Sequence, residues 1–547
     1  ARSEHTHSMN SPAGLRHTFR TMDAFADPTL LVTTKAGIVR GSRDGNTHRW
    51  LGIPYAKPPV GELRLKAPLP VEPWTGIRDA IEFGNAAPQE PTKVIPLPVG
   101  VKIDEDCLNL NIWAPPRAEG DTRQRPVMFW LHGGAYFIGF SAQAVYNGRA
   151  LAETGDVVIV TINYRLGALG FLDFTSFSDP ADPFDSNLGM RDIVLALNWV
   201  KDNIAAFGGN PDDVTVFGES AGAGCVTTLM TMPSAEGLFH RAIAESSPAT
   251  SVYKPERAAL VAQAYLDLIG VEAKDAAKRL REIDAVTLAK QTTNLLDHVA
   301  TTWPGTVAFA PIVDGDLIPG YPVAAFRAGK QIKVPLIIGT NHDEAALFKM
   351  MKSPLMPISE SSINEMFELV AKDNPKLKDL EPGIIAEYPD FPKQKGGMEI
   401  ARDAGFRMPS IWVAEAHSKV APTWMYRFDQ APPLMKLLGI GASHATELPY
   451  VFGTLPDKLS EKKALQFRLG GLKEAKIISG RMMARWLSFA RTADPVTIDS
   501  ETGEELSWPR YDENTRTTLI INGTDTIEND PDGDIRKAWG EEVLGFK

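Results

Sequence analysis

Phe217-Gly218-Glu219-Ser220-Ala221-Gly222 decides the reading of this chain. The β-branched run Val214-Thr215-Val216 leads into it, and a helix-compatible run from Ala221 to Met232 leads out. Together they spell a strand, a tight turn with a serine at its tip, and a helix. Gly218 and Gly222 belong in such an elbow because its backbone is strained and its strand and helix come too close for larger side chains. The serine hydroxyl is thereby offered at the carboxyl end of the strand, with a helix N-terminus beneath any negative charge that develops there. A Gly-x-Ser-x-Gly pattern is short enough to arise by accident, so the flanking strand and helix carry the argument. A nucleophilic serine also needs a base, an acid and oxyanion donors from elsewhere in the chain.

Working outward, the sequence alternates strands and helices. Near-continuous apolar runs at Leu108–Trp113, Val127–Leu131 and Val157–Ile162 predict strands of a sheet covered on both faces. A helix is expected from Leu188 to Ile204, with Ile193, Ala196, Leu197 and Val200 on one face, ended by Phe207-Gly-Gly-Asn-Pro211. Beyond the elbow, Ala242–Glu245, Val334–Ile338 and Trp424–Phe428 read as strands, Lys473–Arg491 as a long amphipathic helix, and Thr518–Ile521 as a late edge strand. Charged helical stretches at Lys254–Ile269 and on to Leu296, and at Ile363–Lys372, read as insertions above the sheet.

Upstream, Leu31–Thr34 and Ile38–Arg40 flank Lys35-Ala36-Gly37 as a small hairpin. The prolines of Leu51-Gly-Ile-Pro-Tyr-Ala-Lys-Pro-Pro-Val-Gly61 predict an ordered, extended segment without regular structure. Lys93–Ile103 is apolar but broken by Pro96 and Pro98, which suits a covering loop or a flap over an apolar pocket. No repeat, low-complexity tract or linker interrupts the chain. The expectation is an α/β fold with a central, mostly parallel twisted sheet and helices on both faces. Residues 30–547 read as one domain with helical insertions around 250–330 and 350–420, and residues 1–29 as a tail, tag-derived or disordered; Met9 and Met22 are both candidate native starts.

Composition narrows the function classes. The 547 residues carry a net charge of −11 and no basic block, which argues against nucleic acid or an anionic membrane as the main partner. No apolar run reaches the roughly 18 residues of a membrane-spanning helix. Two cysteines, Cys107 and Cys225, are too few for a disulfide framework or a thiolate zinc site. With no signal-like apolar stretch near the start, a cytoplasmic protein is expected.

The partners that Ser220 needs can be sought by position. Leu131-His132-Gly133-Gly134-Ala135-Tyr136 follows a strand directly, and small residues there let backbone N–H groups aim at an oxyanion. Gly134, Ala135 and Ala221 are the candidate donors. Serine needs a histidine base. His5, His7 and His17 lie in the tail, and His132 belongs to the oxyanion turn. His444, in Gly441-Ala-Ser-His-Ala-Thr446, fits the order serine, acid, histidine of α/β-hydrolases; His48, His240, His298, His342 and His417 remain as surface or structural alternatives. For the acid, Asp343 and Glu344 both follow the Val334–Ile338 strand, and spacing does not choose between them.

Longer motifs narrow the field. Phe207-Gly-Gly-Asn-Pro-Asp-Asp-Val-Thr-Val-Phe-Gly-Glu-Ser-Ala-Gly222 resembles the active-serine signature of type-B carboxylesterases, the cholinesterase-like esterase/lipase family. Glu105-Asp-Cys-Leu-Asn-Leu-Asn-Ile-Trp-Ala-Pro115 resembles its second signature, and GIPYAKPPVGELR (52–64), Asn163-Tyr-Arg-Leu-Gly167, the Phe-Ala-Arg-Thr-Ala-Asp-Pro run at 489–495 and Trp508-Pro-Arg-Tyr511 extend the likeness from about residue 30 to about 520. The resemblance implies an α/β-hydrolase fold and a serine carboxylesterase that cleaves a small-molecule ester without metal or cofactor. It implies Glu344 as acid, with Ala345 where the family usually has glycine, and His444 as base, followed by Glu447, Phe452 and Gly453.

Three departures refine this expectation. Asn85-Ala-Ala-Pro-Gln89 stands where secreted eukaryotic members have a cysteine, so Ala87 leaves Cys107 without its family partner. That is similar to bacterial p-nitrobenzyl esterases and leaves the Lys93–Ile103 flap unstapled. No tryptophan lies between Gln89 and Glu105, where cholinesterases bind choline, so choline esters are not expected substrates. Ala135 replaces a third glycine in the oxyanion turn. The alternatives the resemblance leaves are a lipase, a carbamate or amide hydrolase with the same triad, and a non-catalytic, neuroligin-like binding protein. A monomer or weak homo-oligomer is expected.

Overall fold

Successive side chains of a strand point to opposite faces. Strands that are apolar at nearly every position therefore need cover on both sides. In the computed structural model, which describes residues 27–542, an 11-stranded sheet meets that need. Its strands are β1 (Ser42–Asp44), β2 (Thr47–Pro54), β3 (Asn109–Ala114), β4 (Arg125–Leu131), β5 (Val158–Ile162), β6 (Gly209–Glu219), β7 (Arg241–Glu245), β8 (Leu336–Asn341), β9 (Thr423–Phe428), β10 (Thr517–Ile521) and β11 (Thr526–Asn529). In space they run β11-β10-β9-β8-β7-β6-β4-β5-β3-β2-β1. Neighbours from β5 across to β10 are parallel, and the pairs towards β1 and β11 are antiparallel.

Four helices position the site: α1 (Leu188–Asn203), α2 (Ala221–Leu229), α3 (Ala345–Met350) and α4 (Leu472–Thr492). Val127, Phe129 and Leu131 of β4 enter one core with Ile193, Ala196, Leu197 and Val200 of α1. Met128 and Trp130 enter the other with Ile478, Met482, Trp486 and Phe489 of α4. Each full burial of a Leu- or Phe-sized side chain stabilises the fold by about 1.5–3 kcal/mol relative to exposure. The same alternation holds at β8, where Leu336 and Ile338 face the first core and Ile337 the second.

Between β7 and β8 come the helices Pro255–Leu268, Ala276–Glu282, Ala285–Ala289 and Thr292–Thr302. Between β8 and β9, after α3, come Glu360–Asp373, Lys376–Ala386, Gln394–Arg402 and Met408–His417. Parallel strands deliver β4, β6, β7 and β8 to one edge with their carboxyl ends together, which is where open α/β sheets place their sites.

Several elements differ from expectation. Leu51–Pro54 is not irregular; it finishes β2, and the register against β3 shifts between Trp50 and Ile53. Gly52, at φ 68°, makes that bulge and donates its N–H to Asn111 Oδ1 (3.0 Å), while Pro54 stands at the strand's end where no ladder donor is required. Strand β10 is not an edge, because β11 pairs outside it; all four β11 residues are exposed, so no apolar pattern announces them. Helix α2 stops at Leu229 rather than Met232, and β8 runs on through Gly339-Thr-Asn341, which reads as loop in sequence. The first hairpin is present as Leu31–Thr33 against Ile38–Arg40. Residues 27–29 already belong to the structure, since Asp27 caps the turn Pro28–Leu30, and its carboxylate pairs with Arg43; the rest of the expected tail, with His5, His7 and His17, lies outside the described residues.

Candidate active site

Strand β6 and helix α2 meet at Ser220, whose φ of 56° and ψ of −124° are a conformation that L residues seldom adopt. The bend is tight. A methyl group on Gly218 would sit 2.6 Å from the Gly222 carbonyl carbon, and one on Gly222 would overlap the Leu131 carbonyl oxygen at the end of β4. The Ser220 N–H donates to the Glu245 carbonyl at the end of β7 (2.9 Å), which pins the elbow to its neighbour strand.

From Leu131 the chain turns at once. φ is 123° at Gly134, 51° at Ala135 and 66° at Tyr136, and a methyl group on Gly134 would overlap the Ile138 carbonyl oxygen. The Phe137 and Ile138 N–H groups both donate to the Gly134 carbonyl at 3.0 Å. Gln89 braces the turn, donating to the Gly139 carbonyl and accepting from the Gly139 N–H, each at 3.0 Å. His132 is buried and stacked on Tyr164 with centroids 4.6 Å apart; burial pushes its pKa down to about 4, so the ring is neutral. The N–H groups of Gly134, Ala135 and Ala221 meet no protein acceptor among the described residues, and all three residues line the cavity that Ser220 and His444 also line.

The end of β8 brings in the carboxylates. Glu344 Oε2 lies 2.6 Å from His444 Nδ1, while its Oε1 accepts from the Asn341 N–H (2.8 Å) and from Ser246 Oγ (2.5 Å). Asp343 points elsewhere, to the loop before His444. His444 packs between Phe348 and Phe406, with centroids 5.0 and 4.7 Å away. Its Nε2 is 3.1 Å from Glu219 Oε1, yet neither atom forms an aligned hydrogen bond, and none joins Nε2 to Ser220. Catalytic contacts of this kind are commonly loose until substrate closes them.

The electrostatics follow from burial. Desolvation works against a charged His444, but Glu219 and Glu344 outweigh it and raise its pKa. Burial pushes Glu219 up to about 7, with His444 opposing and Glu344 adding to the rise. Burial likewise lifts Glu245 to about 8, against the hydrogen bond that Trp486 Nε1 donates to it (2.8 Å).

The cavity is about 400 Å³ and mostly apolar. Val94 and Ile95 of the Lys93–Ile103 segment face it; Leu97 and Val101 hold that loop against Ala86, Phe140 and Ala142. The two insertions contribute Val307, Met356, Met366 and Phe406. Among the described residues no Lys, Arg, Asp or Trp lines it, and Glu219 is its one carboxylate. No group of three His, Cys, Asp or Glu residues among the described residues could hold a metal ion.

Four histidines stand apart from this site. His240 accepts the Val214 N–H, and His417 is buried between Val334 and Gln331. His48 is buried beside Asp27, and His298 packs edge-on to Trp303. Cys107 and Cys225 are free and buried. Sequence reasoning missed two neighbours of the site: Glu219, whose place beside the serine was the available signal, and Ser246, 98 residues from the glutamate it meets, for which there was none.

Comparison with known proteins gives a consistent picture. A model of the carboxylesterase family matches residues 28–536. The para-nitrobenzyl esterase of Bacillus subtilis (strain 168) is 38% identical over 518 residues, covering 93% of this chain and 98% of its own. Carboxylesterase 4A of Bos taurus is 32% identical over 514 residues, covering 88% and 89%. Among solved structures, a thermophilic PNB esterase superposes with a TM-score of 0.81 at 36% identity, over 93% of this chain and 99% of that one.

Proposed function

This chain belongs to the carboxylesterase family and is a carboxylic ester hydrolase of the α/β-hydrolase fold, and from that premise we propose that it works through an acyl-enzyme on Ser220. The observation that carries the reading is the 2.6 Å contact between Glu344 Oε2 and His444 Nδ1, with His444 on the same cavity wall as Ser220 and the oxyanion turn. His444 Nε2 takes the Ser220 proton as Oγ attacks the ester carbonyl. The N–H groups of Gly134, Ala135 and Ala221 receive the oxyanion. His444 then protonates the departing alcohol, and water enters to hydrolyse the acyl-enzyme by the same route in reverse. Glu344 fixes the histidine tautomer and stabilises its imidazolium.

A mostly apolar cavity with no Lys or Arg to meet an anion, and with its one carboxylate, Glu219, set against His444, favours neutral, apolar small-molecule esters, because a charged substrate would lose hydration for little return. We read residues 30–547 as one domain, since residues of both insertions line the cavity, and the protein as a monomer or weak homo-oligomer. Two free thiols suit a reducing compartment such as a bacterial cytoplasm. No helix among the described residues is long and apolar enough to cross a membrane.

The test is steady-state hydrolysis of p-nitrophenyl esters from acetate to palmitate by the wild type and Ser220→Ala. Turnover should fall by several orders of magnitude in the variant. A long-chain optimum would favour the lipase alternative, with Val94 and Ile95 as part of a lid. Activity that survives in Ser220→Ala would overturn the nucleophile assignment.

A further inference from the structure

The residues that end β8 divide their tasks. Glu344 turns to the His444 ring, whereas Asp343 turns to the loop 441–443 that delivers it. The Asp343 N–H donates to the Ala442 carbonyl (2.9 Å), and Asp343 Oδ2 accepts the Ala442 N–H (3.0 Å). Gly441, at φ 60°, leaves room for this carboxylate; a methyl group there would overlap Asp343 Oδ2. Two further bonds double the clamp: Asn341 Nδ2 donates to the Ser443 carbonyl, and the Leu347 N–H of α3 donates to Ser443 Oγ, each at 2.7 Å. His444 is the next residue.

The other oxygen of the same carboxylate, Oδ1, lies 3.0 Å from His342 Nδ1. The His342 side chain is 44% exposed, so solvent protons reach it. The groups around it are Asp343 beside it, Arg427 and Asp429 at the end of β9, and Arg402, whose Nη1 donates to the His342 carbonyl (3.3 Å). The hydrogen bond to Asp343 raises the His342 pKa, burial opposes it, Asp343 and Asp429 add to the rise, and Arg427 opposes. Burial would raise Asp343, but His342, the Ala442 N–H and Arg402 together hold it below the usual carboxylate range. Nothing else in the proposed chemistry uses either residue.

We propose that Asp343 is a positioning residue for His444, and that protonated His342, held on Oδ1, fixes the Asp343 carboxylate in the orientation that receives the Ala442 N–H and so keeps the His444 ring seated on Glu344. The inference rests on the reading of His444 as the base. The sign is fixed by the raised pKa: the His342 contribution is present while its ring is protonated and is lost as pH rises through its folded-state value, which lies above the ordinary histidine value.

The experiment combines kinetics with proton NMR. A 2.6 Å bond between His444 Nδ1 and Glu344 should give a far-downfield imidazole proton, assigned by its loss in His444→Gln. Asp343→Ala should lower kcat about 10- to 100-fold, leave KM within about threefold, and remove that resonance, because ring placement rather than substrate binding is lost. Asp343→Asn, which keeps an acceptor for Ala442, should restore most of both at pH 8. For His342→Ala, the ratio of wild-type to variant kcat should be about 3 at pH 6 and fall towards 1 as the pH rises through the folded-state value of His342, His444 titration being common to both. Wild-type kcat and an intact resonance in Asp343→Ala, or a ratio that does not change with pH, would overturn the proposal. If Asp343→Ala does not fold, the His342→Ala ratio decides alone. Should the wild type prove inactive while Asp343→Ala still removes the resonance, the catalytic reading fails and the positioning role stands.

Discussion

Glu344→Gln is the sharpest perturbation of the proposed mechanism because it changes one charge and almost no volume. Glu344 is fully buried, and its Oε1 already accepts from the Asn341 N–H and Ser246 Oγ. A glutamine must keep its carbonyl oxygen on those two donors, which turns its NH2 towards His444 Nδ1. The ring can then meet it only as an acceptor, with its proton moved to Nε2, the nitrogen that has to receive the Ser220 proton. The lost charge also matters. A carboxylate about 4 Å from the centre of the imidazolium is worth about 4 kcal/mol at an effective dielectric of about 20. That corresponds to roughly a thousandfold in rate, and the wrong tautomer can bring the loss to about ten-thousandfold. The assay is p-nitrophenyl butyrate hydrolysis from pH 5 to 9, with Ser220→Ala as the floor. Removing Glu344 also removes one of the two charges that raise the His444 pKa, so the residual activity should rise with pH earlier than in the wild type. A kcat within tenfold of wild type would refute the assignment of Glu344 as the acid.

Glu219→Gln should likewise move the acid limb of kcat to lower pH, since it removes one of the two carboxylates that raise the His444 pKa; an unmoved limb would show that the 3.1 Å contact is not felt in solution. The same variant should gain stability over wild type as pH rises from about 4, where the unfolded carboxyl titrates, to about 7, where the buried one does. Below that window both forms are neutral and the difference vanishes, which urea denaturation at several pH values would read. Gly222→Ala should destabilise the fold by about 2–4 kcal/mol and abolish activity, because its methyl group meets backbone rather than a movable side chain; a soluble, active variant would show that the elbow can open.

Much of the fold was legible because its strands are short, apolar and bounded by turn residues. Val127–Leu131 and Val157–Ile162 could be read as doubly covered strands, and that is how β4 and β5 sit, each between two cores. What escaped were elements whose signal is not apolar periodicity. Strand β11 is wholly exposed, and β2 bends through a bulge at Gly52 and ends on Pro54, where no ladder donor is required. The end of β8 was read as loop because Gly339 and Asn341 are poor strand formers in isolation, yet β9 pairs with Gly339, Thr340 and Asn341 and β7 with Gly339, which holds them extended.

Local chemistry along the sequence was enough to determine the elbow at Ser220, the small-residue turn at Gly133-Gly134-Ala135 and the covered parallel sheet, because each depends on residues within one turn or one strand of one another. The two adjacent carboxylates at 343 and 344 show where that reach ends. Both follow the same strand, and spacing alone treated them alike. Their directions diverge because the backbone bends sharply after Asn341, sending Glu344 inward to His444, 100 residues on, and Asp343 to Ala442, 99 residues on. A choice made by contacts between such distant segments exists only once the sheet has brought them together.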